Sequence, residues 1–295
     1  MTSAPSQHVP VLAEEVIHWL RAAAEQTLVD GTLGGGGHTR LLAQVVGGSG
    51  SIIALDRDPA AVERAESELS GLNVRAVHAN YSDLPEVLRG LDVDAVDGIL
   101  LDLGLSSDQL ADAGRGFSFH SAGSLDLRFD PSRGEPASRL VERLSAEHLA
   151  DLIYKYGEER YSRRIARRIV DTRQAAPIKT AADLARVVRA AVPRSRDERI
   201  DPATRTFQAL RIAVNEELKW LEVALRRLPD CLRAGGRIAV ISFHSLEDRL
   251  VKKAFLEDAR LEVCTRQPVR PSAEEVDANP RARSAKLRVA ERKAR

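Results

Sequence analysis

The stretch DGTLGGGGH, residues 30–38, places a carboxylate, a glycine turn and an imidazole within one short loop. Glycines at such a turn let the backbone approach a ligand closely. A phosphate-gripping P-loop would read GxxxxGK and then Ser or Thr, with the lysine reaching the terminal phosphates. Counted from Gly31, the lysine position holds Gly37, so nucleotide hydrolysis is disfavoured. The dinucleotide fingerprint GxGxxG starts well at Gly34 and Gly36 but meets Thr39 where its third glycine belongs. A carboxylate at the head of the turn, Asp30, suits a cationic ligand and would repel a pyrophosphate. With Gly34, Gly35, Gly36, Gly37 and His38 it forms the first candidate ligand loop.

A second carboxylate, Asp56, closes the next apolar run, SIIALD, where an acidic side chain can take ribose hydroxyls. A glycine turn followed by this residue fits a bound adenosine. S-adenosylmethionine meets both conditions, because it joins a ribose to a cationic amino acid where a nucleotide carries phosphates. A third polar cluster, Asp102 with Ser106, Ser107, Asp108 and Gln109, follows the apolar run VDGILL. A fourth, His244 with Ser245, follows RIAVISF. Glycines also serve tight packing, Ser and Asp also form turns, and a lone His is often structural. Placement at strand ends is what raises these residues above that reading.

The elements that must hold them are legible as alternation. TLVD (27–30), SIIALD (51–56), VRAVHA (74–79), VDGILLDLG (96–104) and GGRIAVISFHS (235–245) read as strands. Their near-continuous apolar character suits a parallel sheet covered on both faces. HTRLLAQVV, DPAAVERAESELS and SDLPEVLRG read as crossover helices, the second with Asp58 as N-cap and Pro59 at the first helical position. From residue 112 the alternation stops. RGFSF and SLDLRFD show no clear period, and helices follow at 146–157, 161–173, 180–192 and, long and amphipathic, 202–228. QPVRPSAEEVDANP (267–280) reads as a loop. The expectation is an α/β domain over 1–111 and 211–295, Rossmann-like with a mostly parallel sheet, interrupted by an all-helical domain over 112–210.

Composition sets the outer limits. The chain has 295 residues, 43% hydrophobic and 29% charged, and its apolar runs are too short to span a bilayer. Two cysteines make neither a disulfide framework nor a zinc site, and residues 1–10 lack signal-peptide blocks, so the expected setting is the cytoplasm. The net charge of +1 hides segregation: residues 1–138 hold 9 Lys/Arg against 20 Asp/Glu, and residues 139–211 hold 17 against 10. Residues 279–295 hold 7 against 1. Two basic regions on an acidic body could hold a polyanion, although solvated helical faces would look the same. The candidates are Arg163, Arg164, Arg167 and Arg168 in one helix and Arg281, Arg283, Lys286 and Arg288 near the end.

The chain resembles the small-subunit ribosomal RNA methyltransferase H family, also called MraW. HVPVLAEEV (8–16), DGTLGGGGH, ALDRDP, DLGLSSDQL, RGFSF, LDLRFD, FQALRIAVNEEL, GGRIAVISFHSLEDR and NPRARSAKLR carry the resemblance over nearly the whole length. It implies a class I S-adenosylmethionine-dependent methyltransferase with an inserted helical substrate-recognition domain. It further implies transfer to the exocyclic N4 of one cytidine in the decoding region of bacterial 16S rRNA, within the small subunit, without a metal. A homodimer is left open. The cofactor contacts fall on Gly36, Gly37, His38, Asp56, Tyr81, Asp102 and Gln109; Tyr81 stands where relatives often have Phe. Asp102 is the first candidate for contacting the reacting amine or the methionine moiety, with Ser106 and His244 as accessories. A DNA amino-methyltransferase would carry [N/D/S]PP[Y/F] where this chain reads DLGLSS. A non-catalytic binder of S-adenosylmethionine acting in ribosome assembly is the other alternative.

Overall fold

A computed structural model describes residues 10–119, 123–193 and 201–294. His8 and Val9 of HVPVLAEEV lie outside the described residues. The chain forms two compact units, Met1–Ser107 with Leu218–Arg295, and Asp108–Glu217.

The first unit is built on a seven-stranded sheet, named here in chain order: β1 (Thr27–Asp30), β2 (Ser51–Asp56), β3 (Val74–His78), β4 (Val96–Asp102), β5 (Leu232–Ser242), β6 (Leu261–Val263) and β7 (Lys286–Arg292). The order is β3-β2-β1-β4-β5-β7-β6, parallel except that β7 runs antiparallel to both β5 and β6. Because successive side chains on a strand point to opposite faces, both faces acquire a core. Val29, Ile53, Ile99 and Leu101 pack on one side with Leu221, Leu225, Val251 and Phe255. Leu28, Ile52, Leu100 and Ile241 pack on the other with Val16, Leu20, Leu42 and Val46. This is the doubly wound class expected, and its strand order reverses between β1 and β4, where ligands of open α/β sheets bind.

Helix starts follow their caps. Asp58 caps Pro59–Glu68 by accepting from the Ala60 amide. Asn80 accepts from Ser82 N at the turn that leads from β3 into Leu84–Gly90.

The basic tail departs from expectation. Lys286–Arg292, within the basic region expected to contact phosphates, is a strand inside the sheet, with Leu287, Val289 and Ala290 fully buried. Its charges are matched within the protein. Arg237 opposes Glu291 in the ladder and donates to it at 2.9 Å, a cross-strand ion pair. Arg288, 7% exposed, donates to Asp248 at 2.6 Å, and Lys286 to the same carboxylate at 3.0 Å. The expectation that Arg288 and Lys286 grip phosphate is corrected accordingly: a buried guanidinium needs its partner.

Burial pushes the Asp248 carboxyl upward, but Arg288 and Lys286 outweigh that and hold it below the usual carboxylate range. Such stability is complete above the unfolded pKa and is lost as pH falls through the lower folded one. Asp248→Asn is therefore expected to cost about 2–4 kcal/mol at pH 7, since it strands a buried Arg288. Thermal melts should show the gap to wild type closing as the pH drops below about 4. Equal melting temperatures at pH 7 would show that the pair contributes nothing.

The second unit contains helices Ala137–Arg143, Ala146–Gly157, Ser162–Ala175, Ala181–Ala191 and Thr204–Asn215. Its aperiodic entry segment is organised by side chains. Arg115 donates to the carbonyls of Arg128 and Phe129, and Phe117 stacks on Phe129 with centroids 5.8 Å apart. Asn215 accepts from the Phe129 amide and donates to the Leu127 carbonyl. The single long helix expected over 202–228 is two, Thr204–Asn215 and Glu217–Arg227, because Glu216 turns left-handed at φ 49°. Among the described residues no helix is long and apolar enough to cross a membrane.

Candidate active site

Asp30, at the end of β1, is completely buried, and burial raises its pKa. One oxygen accepts from the Thr32 amide at 3.0 Å and the Thr32 hydroxyl at 3.3 Å; the other accepts from the Thr39 hydroxyl at 2.7 Å. The Thr32 hydroxyl oxygen in turn accepts from the Asp102 amide at 2.7 Å. Asp30 was expected to face a cationic ligand. Instead both its oxygens are turned into the loop, tying the turn to helix Gly37–Val46 and to the end of β4. Thr32 and Thr39, which sequence reasoning passed over, are the partners that make this possible. Their signal was the DGT triplet and a second threonine just after His38.

Two glycines of the run turn left-handed, Gly34 at φ 51° and Gly36 at φ 74°, a conformation costly for other residues. Gly37 then opens the helix, and Gly35 bridges the two turns. The Gly34 amide donates to Asp56 at 2.7 Å, and the Asp58 amide donates to the other Asp56 oxygen at 2.8 Å. Burial pushes Asp56 up to about 6, against the pull of these two amides. A carboxylate held from behind by two amides keeps further lone pairs for hydroxyl donors. A Cβ on Gly34 would stand 3.2 Å from the Ser106 Cβ, which places Ser106 directly against the loop.

Gly31, just ahead of the run, is the tightest glycine of this loop. A Cβ there would meet Leu101 at 2.4 Å and the Tyr81 Cβ at 3.0 Å. Tyr81, partly buried after β3, thus packs beside the loop. Gly31→Ala is expected to destabilise the protein by about 1–3 kcal/mol through overpacking. A melting temperature equal to wild type would mean that Leu101 and Tyr81 yield without cost.

His38 and Asp102 form the centre. The His38 ring is 5% exposed, and its Nε2 lies 3.5 Å from Asp102 Oδ2. Burial works against the charged imidazole, but Asp102, Asp30 and Glu275 outweigh it and hold the pKa above the ordinary histidine value. Asp102 Oδ1 is buried and has no hydrogen-bond partner. A buried carboxylate oxygen is costly to leave bare, so it marks the place where a donor from a ligand would bind.

The other expected residues have the following surroundings. His244 caps helix Ser245–Glu257: Nδ1 accepts from the Glu247 amide and Nε2 lies 3.1 Å from Glu247 Oε1. Nδ1 is taken up by that capping box, whereas Nε2 is buried and makes no hydrogen bond, so His244 stays a candidate accessory just after the end of β5. Gln109, on helix Ser107–Ala111, is buried within the second unit. Arg281 and Arg283 are exposed on the turn Pro280–Ser284, Arg281 donating to the Ser107 hydroxyl. Arg163, Arg164, Arg167 and Arg168 are all exposed on helix Ser162–Ala175, whose opposite face buries Ile165, Ala166 and Ile169. No carboxylate pairs with these four among the described residues.

The chain is similar over its length to known proteins. Residues 5–293 match the model of the MraW methylase family. A protein of Rhodopirellula baltica named Ribosomal RNA small subunit methyltransferase H is 51% identical over 302 residues, covering 99% of this chain and 93% of its own length. Proteins of the same name from Deinococcus radiodurans and Sorangium cellulosum are 52% and 51% identical, each covering 97% of this chain, and 90% and 91% of their own lengths.

Proposed function

This chain belongs to the MraW methylase family, and from that premise we propose that it methylates the exocyclic N4 of one cytidine in the decoding region of bacterial 16S rRNA. It is an enzyme, an rRNA methyltransferase, and its methyl donor is S-adenosylmethionine (SAM). The single observation that carries the reading is the bare, buried Asp102 Oδ1 at the sheet's switch point.

The residues present fit the donor. Asp56 has lone pairs for ribose hydroxyls, Tyr81 offers a ring beside the loop, and Gly34 and Gly36 keep the loop free of side chains. Asp102 and His38 bracket the place for the methionine end, with Gly37 as a further contact expected from the family. Bound there, SAM supplies an electrophilic methyl group on a sulfonium. Positioning alone can contribute roughly 7–11 kcal/mol to such a displacement.

The chain's remaining task is the acceptor. The cytosine N4 lone pair is delocalised into the ring, and an acceptor on the amino group localises it and takes the proton as the bond forms. Asp102 Oδ1 is the group for that step, with Ser106 lining the same edge. The base must first leave its stack. In this reading the inserted helical domain, over about 112–210, recognises the rRNA, and Arg163, Arg164, Arg167 and Arg168 hold backbone phosphates. Arg281 and Arg283 are exposed candidates for the same work. The setting is the bacterial cytoplasm, on small subunits.

Release of S-adenosylhomocysteine tests the enzymatic part. Small subunits lacking the modification should drive its formation, and duplex DNA should not. Tight SAM binding with no such product from any RNA would leave a passive binder.

A further inference from the structure

Leu12 is fully buried yet left-handed, at φ 55° and ψ 39°. That conformation costs a non-glycine residue roughly 1–2 kcal/mol. Two hydrogen bonds hold it. Its amide donates to Glu275 Oε1 at 2.7 Å, and its carbonyl accepts from Val16 at 2.8 Å, opening helix Ala13–Leu20. The first bond joins positions 263 residues apart. Val11, Leu12 and Val16 share one core cluster with Leu42, which stands one helical turn beyond His38. Glu275 is itself fixed, on helix Ala273–Ala278, where Ser272 accepts from the Glu275 amide at 3.1 Å.

Three carboxylates act on His38: Asp102 from β4, Asp30 from β1 and Glu275 from the C-terminal region. The nearest cation of its own helix, Arg40, reaches away to the Glu68 carbonyl. Asp30 ties the glycine turn together and Asp102 keeps an oxygen open for a ligand, whereas Glu275 takes part in neither.

We infer that Glu275 is a positioning residue of the methyl-donor site: it fastens the turn at Leu12, which shares a core cluster with Leu42 of the His38 helix, and its carboxylate adds to the negative charge acting on His38. The inference rests on the reading that His38 borders bound SAM. One side chain thereby joins the first helix to the C-terminal region. The neighbouring carboxylates favour the charged form of His38 against its burial, and with it the attraction to Asp102.

The test compares full-length wild type with Glu275→Gln and Glu275→Ala. Glutamine keeps an oxygen for the Leu12 amide and removes the charge; alanine removes both. NMR of histidine-labelled protein without SAM follows the His38 titration, assigned with His38→Asn, and hydrogen exchange follows the Leu12 amide. Calorimetry gives SAM affinity. The expected results are a lower His38 midpoint in both variants, and Leu12 exchange faster by roughly 10-fold in the alanine variant alone. SAM affinity at neutral pH should fall in both variants, further in the alanine one. An unmoved His38 midpoint in the glutamine variant, unmoved Leu12 exchange in the alanine variant, or unchanged SAM affinity in both would overturn the inference. A wild type that binds no SAM would sink the functional reading, and with it the positioning role, while the NMR results would still report on the fastening and the charge.

Discussion

Asp102→Asn is expected to lower methyl transfer by roughly 100-fold or more at saturating SAM, the range typical of losing a positioned proton acceptor. The fold should survive. The part Asp102 plays in the loop runs through its backbone amide, which donates to the Thr32 hydroxyl and is untouched by the change. What changes is Oδ1, buried and bare, and Oδ2, which faces His38. An amide in that place offers one oxygen and two N–H donors. If the oxygen turns to His38, the amide nitrogen meets the incoming amine, donor against donor. SAM affinity should fall less than turnover, because Asp56 and the glycine loop hold the ribose end. Steady-state and single-turnover rates on unmodified small subunits separate the two effects. Normal turnover with normal SAM affinity would remove Asp102 from the mechanism.

The second large effect belongs to the helical unit. Replacing Arg163, Arg164, Arg167 and Arg168 together by Glu is expected to weaken rRNA binding by roughly 100-fold or more at low salt. It should also flatten the slope of log affinity against log salt by about 3–4. All four side chains are exposed on one helix, and the residues that anchor it, Ile165, Ala166 and Ile169, are left in place. SAM binding should be unchanged, since the glycine loop and its carboxylates lie in the first unit. Binding measured at several salt concentrations distinguishes phosphate contacts from solvated charge. An unchanged affinity and slope would return these arginines to the role of a solvated face.

The strands that end at the site were legible because parallel strands buried on both faces read as apolar runs. β1 and β2 fall on the bounds expected, and Asp58–Pro59 marked its helix start. What escaped was governed by tertiary pairing. β6 has only three residues, and in β7 the alternation of Leu287, Arg288 and Val289 was masked by charges that looked free. Only the fold reveals that Asp248 and Glu291 neutralise Arg288 and Arg237. The break at Glu216 was invisible because periodic apolar positions continue across it and no glycine or proline announces it. Residue types pointed to the strand ends, while the direction each side chain faces did not follow from spacing. Asp30 turns both oxygens to threonines, whereas Asp102 keeps one oxygen open and His244 keeps Nε2 open while its Nδ1 caps its own helix. The task of Glu275 depends on a bond spanning 263 positions, which no local pattern encodes.

The most direct test of the central claim is the identity of the methylated nucleoside. Small subunits lacking the modification would be incubated with isotopically labelled SAM and the protein, digested, and analysed by mass spectrometry. Naked 16S rRNA and duplex DNA would run in parallel. The account predicts N4-methylcytidine, at one site, in the subunits. Label on a ribose hydroxyl or on a ring carbon, or label in DNA alone, would contradict it.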